Sequence, residues 1–384
     1  MALKISQRGH VPPFLVMEVM QAAADRLASG RDVLHLEVGQ PGTAAPRGVR
    51  EAAKRAIDNE RLGYTVALGI DPLREAIAHH YLDFYGLTVP PERIVVTTGS
   101  SGGFLLSFLA CFDPGDRVAL AEPGYPCYRN ILEALGLEAV ALPVDHDTRF
   151  QPTVAMLEAL DAPIDGLILA SPSNPTGTMV SPAELEAVAG HCRRSGIRLI
   201  SDEIYHGISY GMEAATAAAI DSNTVVINSF SKYFSMTGWR IGWMVVGEDL
   251  VKPIERLAQN FFISPPTLSQ HAAVAAFDCR DELDANIAVY AANRDLLLEE
   301  LPRAGLTRLS QSDGAFYIYA DISEHTDDSE AFCRALLDET GVAVTPGLDF
   351  DPVRGSRSMR ISYSGSTADM AQAARRMADW LARR

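Results

Sequence analysis

The sequence predicts an α/β protein whose mostly parallel central sheet is flanked by helices, with a smaller α+β domain beside it. From about residue 90 onward, short apolar runs rich in β-branched residues alternate with helical patterns. Strands of this kind are typical of a parallel sheet that is covered on both faces. The length of 384 residues also favours one large domain and a smaller one over a single core.

Six apolar runs predict the strands of the large sheet. A further run, RIGWMVVG (240–247), predicts a neighbouring strand, and its direction stays open. Near-continuous apolar character indicates that these strands are buried on both faces. The six runs are IVVTTG (94–99), RVALAEPGY (117–125), AVALPV (139–144), GLILASPSNP (166–175), IRLISDEIY (197–205) and TVVINSFSK (224–232).

Two of the intervening helices have recognisable ends. Ser181 followed by Glu184 predicts a capping box, and Gly196 predicts the end of the same helix. A second helix is expected to open at Asp71 with Pro72 and to stop at Gly86.

The last part of the chain predicts a second, smaller unit. A long helical pattern, DANIAVYAANRDLLLEELPRAG, is expected to stop at Pro302 and to lead into this unit. A C-terminal helix is expected to close it. Its predicted strands are AFYIYADI (315–322), GVAVTPG (341–347) and RSMRISYS (357–364).

Composition and charge exclude several classes of partner. The net charge of −16 disfavours nucleic acid and anionic membrane surfaces. The start of the chain does not resemble a signal peptide, and no apolar run approaches the roughly 18 residues of a membrane span. Five scattered cysteines without metal-ligand spacing indicate reduced thiols in a cytoplasmic protein, and no metal site is expected. The cysteines are Cys111, Cys127, Cys192, Cys279 and Cys333.

Polar clusters follow five of the predicted strands directly. In open α/β sheets, ligands bind beyond the carboxyl ends of the strands. These clusters are therefore expected to converge on one crevice. They are GSSG, EPGY, SPSNPTG, SDEIYHG and NSFSK.

Lys232 is the candidate nucleophile. It follows a predicted buried strand and has aromatic neighbours such as Phe230, Tyr233 and Trp239. Apolar surroundings lower the pKa of a lysine and favour the neutral amine, which attacks aldehydes. The alternative is a solvated surface lysine, which is far more common.

Two segments predict an anion site. Ser229, Ser231 and Arg240 surround Lys232, and hydroxyls with a guanidinium suit a phosphate dianion. The GSSGG segment, with Ser100, Ser101 and Gly102, opens a predicted helix whose backbone N–H groups attract anions. A serine-rich turn with a surface arginine remains the alternative.

Four further residues suit a flat heterocycle. Asp202 can face a ring nitrogen and keep it protonated, and Tyr205 and Asn174 can donate to a phenolic oxygen. Tyr125 can stack on the ring. Each also has an ordinary structural interpretation as a cap, turn or packed residue. Together with the amine and the anion site they match the needs of pyridoxal 5′-phosphate (PLP).

At this point the sequence resembles the class I/II aminotransferases, fold type I PLP enzymes related to aspartate aminotransferase. The motifs SPSNPTG, SDEIYHG and SFSKYFSMTGWRIGW carry the resemblance, which runs from VGQP (38–41) and GYTVALGIDPLREAIA (63–78) to MRISYS (359–364). It implies that Lys232 forms the Schiff base with the cofactor and that Asp202 contacts the pyridine nitrogen. It also implies that Arg360 and Gly39 bind the substrate α-carboxylate and that Asn174 contacts the substrate.

The remaining roles follow from the same resemblance. Tyr205 and Asn174 match contacts to the phenolic oxygen, and Tyr125 matches the stacking ring. Tyr64 matches a tyrosine that reaches the phosphate from the neighbouring subunit, which implies a homodimer with shared sites. The small domain is expected to comprise residues 1–45 and 286–384, and the large PLP-binding domain residues 46–285. The matched phosphate ligands are Ser100, Ser101, Ser229, Ser231 and Arg240.

The expected reaction is ping-pong transfer of an amino group from an L-amino acid to a 2-oxo acid. A PLP-dependent C–S β-lyase of the same fold is the alternative, because it uses the same lysine, aspartate and phosphate site. A non-catalytic regulator on this fold is a third hypothesis, which the complete catalytic set and the absence of a basic segment disfavour.

The substrate is not determined by motif. Arg8, His10, His206 and Arg354 are candidates for binding a second carboxylate, and a surface or loop position is the alternative for each. An apolar or aromatic donor is the working hypothesis. It depends on three phenylalanines that also suit a protein core, namely Phe14, Phe104 and Phe316.

Overall fold

The computed structural model describes residues 3–384. Its strands in chain order are β1 (Leu34–His35), β2 (Ile94–Thr97), β3 (Arg117–Glu122), β4 (Glu138–Pro143), β5 (Gly166–Ala170), β6 (Arg198–Asp202), β7 (Val225–Ser229), β8 (Gly242–Val245), β9 (Tyr317–Asp321), β10 (Val342–Ala343), β11 (Thr345–Pro346) and β12 (Ser358–Ser362).

A seven-stranded sheet forms the centre of the molecule. Its strand order is β2-β8-β7-β6-β5-β3-β4. Strand β8 is antiparallel to both β2 and β7, and the other pairs are parallel. Six strands therefore point the same way, which confirms the mostly parallel sheet. The direction of β8, which the sequence left open, is antiparallel: residues 230–241 contain a short 3-10 turn but no crossover α-helix, and they return the chain so that Gly242 pairs with Ser229 at the end of β7.

The register of the central strands aligns their carboxyl ends. Ala170 at the end of β5 pairs with Asp202 at the end of β6, and Asp202 in turn pairs with Ile227 of β7. Since β-strand carboxyl ends at one edge open on a common crevice, the loops after these strands start side by side.

Helices cover the sheet and surround the smaller unit. They are α1 (Leu15–Ala28), α2 (Arg47–Asn59), α3 (Asp71–Tyr85), α4 (Gly99–Cys111), α5 (Pro126–Leu135), α6 (Val154–Glu158), α7 (Pro182–Ser195), α8 (Glu248–Phe261), α9 (Thr267–Val274), α10 (Arg280–Arg303), α11 (Ser329–Thr340) and α12 (Thr367–Leu381). In residues 3–384 no helix is both long and apolar enough to cross a membrane.

The ends of α7 confirm the capping-box prediction. The Ser181 hydroxyl accepts from the Glu184 backbone N–H at 3.3 Å, and the Glu184 carboxylate accepts from the Ser181 N–H at 2.7 Å. Gly196 has φ of 71° at the C-cap, the left-handed conformation that glycine adopts without steric cost.

The predicted end of the long helix α10 was wrong by one residue. The helix continues through Pro302 to Arg303. The backbone N–H of Ala304 bonds back to the carbonyl of Glu300 at 3.1 Å, which carries the last turn past the proline. Proline adopts helical φ, although it lacks the backbone N–H donor and its ring crowds the carbonyl four residues earlier.

The N-terminal segment joins the C-terminal part of the chain. Strand β1 pairs in parallel with β10, and β11, β12 and β9 form a three-stranded antiparallel sheet. The predicted single strand GVAVTPG is therefore two short strands, because residues 342–343 and 345–346 pair with different partners.

Candidate active site

A cavity of about 220 Å³ lies at the carboxyl ends of the large sheet. The loops after β3, β5, β6 and β7 reach it, together with the start of α4, helix α1 and the smaller sheet. It brings together eleven of the residues that the sequence predicts for the site: Gly39, Ser100, Ser101, Tyr125, Asn174, Asp202, Tyr205, Ser231, Lys232, Arg240 and Arg360.

Lys232 is held in the loop after β7. Its Nζ donates to the backbone carbonyl of Gly39 at 2.5 Å. Burial, together with the positive charges of Arg360 and Arg240, lowers the pKa of Lys232 to about 8, against the opposing effect of the Asp202 carboxylate. A much larger fraction of this amine is neutral near pH 8 than of an ordinary lysine, and the neutral amine is the nucleophilic form.

Asp202 lies at the end of β6 and is almost completely buried. Burial raises the pKa of its carboxyl to about 6, against the opposing effect of a hydrogen bond from Tyr128. The Tyr128 hydroxyl donates to Oδ2, and the Ile204 backbone N–H donates to Oδ1 at 3.2 Å. The sequence analysis missed Tyr128, and its position three residues after Tyr125 on the same helical turn was the available signal.

Tyr205 and Tyr317 form a pair of buried phenols. Their hydroxyl oxygens are 2.6 Å apart, and their rings meet edge to face. Burial raises the pKa of both hydroxyls above the ordinary range, so both stay protonated at neutral pH. The sequence analysis also missed Tyr317. It lies inside an apolar strand pattern, and this pattern does not indicate which of its side chains faces the cavity.

Arg360 of β12 crosses the cavity toward the loop after β5. Its Nη1 donates to the side-chain oxygen of Asn174 at 2.9 Å, and its Nη2 donates to the Glu37 carbonyl and to the Thr345 hydroxyl. Its buried Nε has no hydrogen-bond partner among residues 3–384. A buried N–H without a partner is costly, so this guanidinium is prepared for an anionic ligand.

The first turn of α4 and Arg240 form a positive corner. Ser100 and Ser101 lie in that turn, where the backbone N–H groups have no partner within the helix. A Cβ on Gly99 would lie 2.5 Å from Nη2 of Arg240, so the guanidinium rests directly on the glycine backbone. Gly99 also has φ of 72°, which a residue with a side chain adopts only under strain.

Three predicted site residues lie outside the cavity lining. The Ser229 hydroxyl is buried and donates to the Ser231 hydroxyl at 2.9 Å, so Ser229 supports Ser231 from behind. Gly102 is buried in α4, with the Thr98 hydroxyl where a Cβ would be. Tyr64 is 83% exposed, in a loop on the surface of the single chain.

An apolar wall closes the remaining side of the cavity. Of the three phenylalanines considered from sequence, only Phe14 lines it, whereas Phe104 and Phe316 are core residues. The Asp349 carboxylate accepts from the backbone N–H groups of Leu15 and Val16, at 2.9 and 3.3 Å, and so anchors the start of α1. The other aliphatic residues, methionines and proline that line the cavity are Val16, Met17, Met20, Val38, Ala170, Pro172 and Ile204.

The basic residues considered for a second carboxylate do not reach the cavity. His206 is buried between the Tyr85 hydroxyl at 2.6 Å and the Ser171 carbonyl at 3.0 Å. Arg354 is bonded to Asp351 at 2.8 Å and to backbone carbonyls. Arg8 and His10 are exposed in the N-terminal segment. In the described residues, the basic side chains that line the cavity are Lys232, Arg240 and Arg360.

A half-buried amine, a buried carboxylate and a buried arginine that line one cavity define a site for amino-acid chemistry on an α/β sheet. Residues 31–377 match the family model "Aminotransferase class I and II", and the chain belongs to this family. It moves an amino group between an amino acid and a 2-oxo acid, as the relatives of this family do.

Particular relatives match over nearly the whole chain. Valine–pyruvate aminotransferase of Mycobacterium tuberculosis is 54% identical over 382 residues, which is 98% of each chain. An aspartate aminotransferase of Sulfurisphaera tokodaii is 31% identical, over 92% of this chain and 90% of the relative. The crystal structure of an aminotransferase from Mycobacterium tuberculosis superimposes with a TM-score of 0.99 at 53% identity, covering 100% of both chains.

Proposed function

We propose that this aminotransferase uses PLP bound covalently to Lys232. The observation that carries the proposal is the placement of the Lys232 amine in one cavity with the buried Asp202 carboxylate and the positive corner at Arg240. The net charge of the chain is −16, yet the cavity is lined by three basic side chains, Lys232, Arg240 and Arg360, and by one carboxylate, Asp202. This local excess suits a phosphate dianion and a substrate carboxylate.

Each end of the cavity fits one end of the cofactor. Ser100, Ser101 and Ser231, with Arg240, would hold the phosphate through hydroxyls, helix N–H groups and a guanidinium. Asp202 would face the ring nitrogen, and Tyr125 would stack on the ring. Tyr205 and Asn174 would donate to the phenolic oxygen. The unpartnered Nε of Arg360 and the cavity beside Gly39 fit a carboxylate.

When bound, PLP supplies an electron sink that acidifies the Cα proton of an attached amino acid. The chain supplies the rest. Arg360 would orient the substrate through its α-carboxylate, so that Cα lies near Lys232. The substrate amine would displace the Lys232 amine from the cofactor. The free Lys232 amine would then take the proton from Cα as a base and return it, as an acid, to the carbon on the cofactor side of the substrate nitrogen. Its pKa of about 8 suits both roles near neutral pH.

We further propose that the amino donor is neutral and apolar. Phe14, Val16, Met17, Met20 and Val38 line the cavity, and in the described residues no basic lining group remains for a second carboxylate once Lys232, Arg240 and Arg360 are assigned. The named activity of the Mycobacterium tuberculosis relative, valine–pyruvate transamination, agrees with a branched aliphatic donor. Valine and pyruvate are therefore the first pair to assay.

The remaining proposals concern assembly and location. Residues 1–45 and 286–384 would form the smaller domain, with α10 continuous across the boundary at 285. Tyr64 would serve the phosphate of a second copy in a homodimer, which accounts for its exposure in the single chain. The five free cysteines suit the reducing cytoplasm.

The test is a half-reaction of PLP-loaded protein with single amino acids, followed by visible absorbance. Valine should convert the lysine-bound chromophore to the amine form stoichiometrically, and pyruvate should restore it. Lys232→Ala should lose the covalent chromophore, and its turnover rate should fall by about a hundredfold to ten-thousandfold. Release of pyruvate and ammonia from a cysteine conjugate with the chromophore unchanged would instead support the β-lyase. A donor panel in which only aspartate and glutamate react would contradict the apolar substrate.

A further inference from the structure

Tyr317 of β9 touches three parts of the site at once. Its hydroxyl lies 2.6 Å from that of Tyr205, and its ring lies 4.6 Å from the Arg360 guanidinium carbon. A Cβ on Gly39 would collide with the Tyr317 hydroxyl, and the Gly39 carbonyl accepts from Lys232. Tyr317 is 1% exposed, so it has little freedom to leave this position.

The direction of the Tyr205–Tyr317 hydrogen bond follows from the occupied site. In the proposed function, Tyr205 donates its hydroxyl proton to the phenolic oxygen of PLP. The Tyr205 oxygen is then left only as an acceptor, and Tyr317 must donate to it, since each hydroxyl carries one proton. A donated hydrogen bond makes the receiving phenol more acidic, and therefore a stronger donor to the cofactor oxygen.

The Arg360 charge strengthens this donation. A positive charge close to a phenol stabilises its ionised form, so Arg360 makes the Tyr317 hydroxyl more acidic. When a substrate carboxylate neutralises Arg360, this effect weakens, and so does the donation from Tyr317 to Tyr205. Tyr317 thus lies on a continuous contact path from the group that holds the substrate carboxylate to the group that holds the cofactor oxygen.

We propose that Tyr317 is a positioning residue that transmits occupancy of Arg360 to the proton affinity of the Lys232-linked cofactor. The proposal rests on the proposed PLP function. Without a substrate, Tyr317 keeps the linked nitrogen acidic through Tyr205, and the neutral form prevails at lower pH. With a carboxylate on Arg360, the nitrogen becomes more basic and retains the proton that activates it for attack by the substrate amine.

The test is a spectrophotometric pH titration of the lysine-linked chromophore in Tyr317→Phe, which keeps the ring and removes the hydroxyl. The pKa of the chromophore in this variant should be roughly half a unit to one unit higher than in the wild type, as expected from the loss of one hydrogen bond. Saturating 3-methylbutanoate, a carboxylate without an amine, should raise the wild-type pKa and should raise the Tyr317→Phe pKa less.

Tyr319→Phe is the matched control. Tyr319 points to the same side of β9 and is buried, but it packs against Phe150 and Phe350 away from Tyr205. Its titration should equal that of the wild type. An unchanged pKa in Tyr317→Phe, an equal shift in Tyr319→Phe, or an undiminished response to 3-methylbutanoate would overturn the proposal. Failure of the PLP function itself would appear differently, as no lysine-linked chromophore in the wild type.

Discussion

At the scale of single residues, burial shifts the two main charged groups of the site toward neutrality from opposite directions. The pKa of Lys232 falls to about 8 and that of Asp202 rises to about 6, because both leave water. The neutral form of the Lys232 amine is its nucleophilic form. For Asp202 the shift toward the neutral form opposes the proposed role, since only the ionised carboxylate holds a proton on a ring nitrogen. The hydrogen bond from Tyr128 partly offsets the effect of burial.

Tyr128→Phe tests that compensation. The hydrogen bond lowers the pKa of Asp202, so its loss should raise that pKa further above 6. Because Asp202 must be ionised, the acidic limb of the kcat/KM profile should move to higher pH by about 0.5–1 unit. Turnover at pH 8.5 should change little. The profile for valine measured between pH 5 and 9 checks this, with Tyr319→Phe as the control, and an acidic limb that stays in place would contradict it.

Lys232 also reduces the stability of the cofactor-free chain. Its folded pKa, about 8, is below the unfolded value of about 10.4. Below pH 8 the lysine is charged in both states and the full cost of burial applies; between pH 8 and 10.4 the cost disappears as the folded amine loses its proton.

Lys232→Met should therefore stabilise the cofactor-free protein by about 1–3 kcal/mol at pH 7, and this gain should vanish by about pH 10.5. Denaturant titrations at pH 7 and 10 measure it. Lys54→Met, at an exposed position of α2, should show no comparable gain. A Lys232→Met variant less stable than the wild type at pH 7 would show that the Gly39 hydrogen bond outweighs the cost of burial.

At the scale of elements, the start of α4 is positioned by close backbone packing. A Cβ on Gly242 of β8 would lie 3.0 Å from the Ser100 nitrogen, so this strand presses against the first turn of the helix. The antiparallel direction of β8 brings Gly242 to this edge, opposite Ser229 of β7. The loop just before β8 carries Arg240 to the same corner, where it rests on Gly99.

Gly99→Ala should separate these groups. The new Cβ would displace the Arg240 guanidinium, and the dissociation constant for PLP should rise about tenfold, a loss near 1.4 kcal/mol. Gly86→Ala is the matched control, because Gly86 also has positive φ, at 65°, but nothing lies within 4 Å of its Cβ position. Both variants should lose about 1–2 kcal/mol of stability from backbone strain. Equal PLP affinities in the two variants would contradict the role of Arg240.

At the scale of the whole molecule, the site requires both ends of the chain. Gly39 lies between β1 and α2 near the N terminus, and Arg360 lies in β12 near the C terminus. The backbone N–H of Ser362 in β12 donates to the Leu36 carbonyl at 2.8 Å, and Arg360 donates to the Glu37 carbonyl, so these distant segments are joined directly. Tyr64 remains outside the cavity of the single chain, where a second copy is proposed to receive it.

A mixing experiment tests this sharing. Lys232→Ala and Tyr64→Glu should each be almost inactive alone, the second because a carboxylate would face the phosphate. In random mixed dimers, one site of each hybrid combines an intact Lys232 with an intact Tyr64. After unfolding and refolding together, the mixture should recover about a quarter of wild-type activity, as expected for cyclic dimers. No recovery would place Tyr64 in the site of its own chain.

The sequence by itself determined which strand ends carry the chemical groups of the site. Period and composition identified the buried strands, and the residues directly after them, among them Lys232, Asp202 and Asn174, form the cavity as expected. Local signals sufficed because strand ends and helix caps depend on neighbouring residues. The tertiary structure alone decided which other side chains face the site. Tyr317 and the apolar residues of α1 enter it through packing between distant segments, and such packing leaves no mark on the local pattern. The direction of β8 and the division of residues 341–347 between two sheets were decided in the same way, because strand pairing depends on partners elsewhere in the chain.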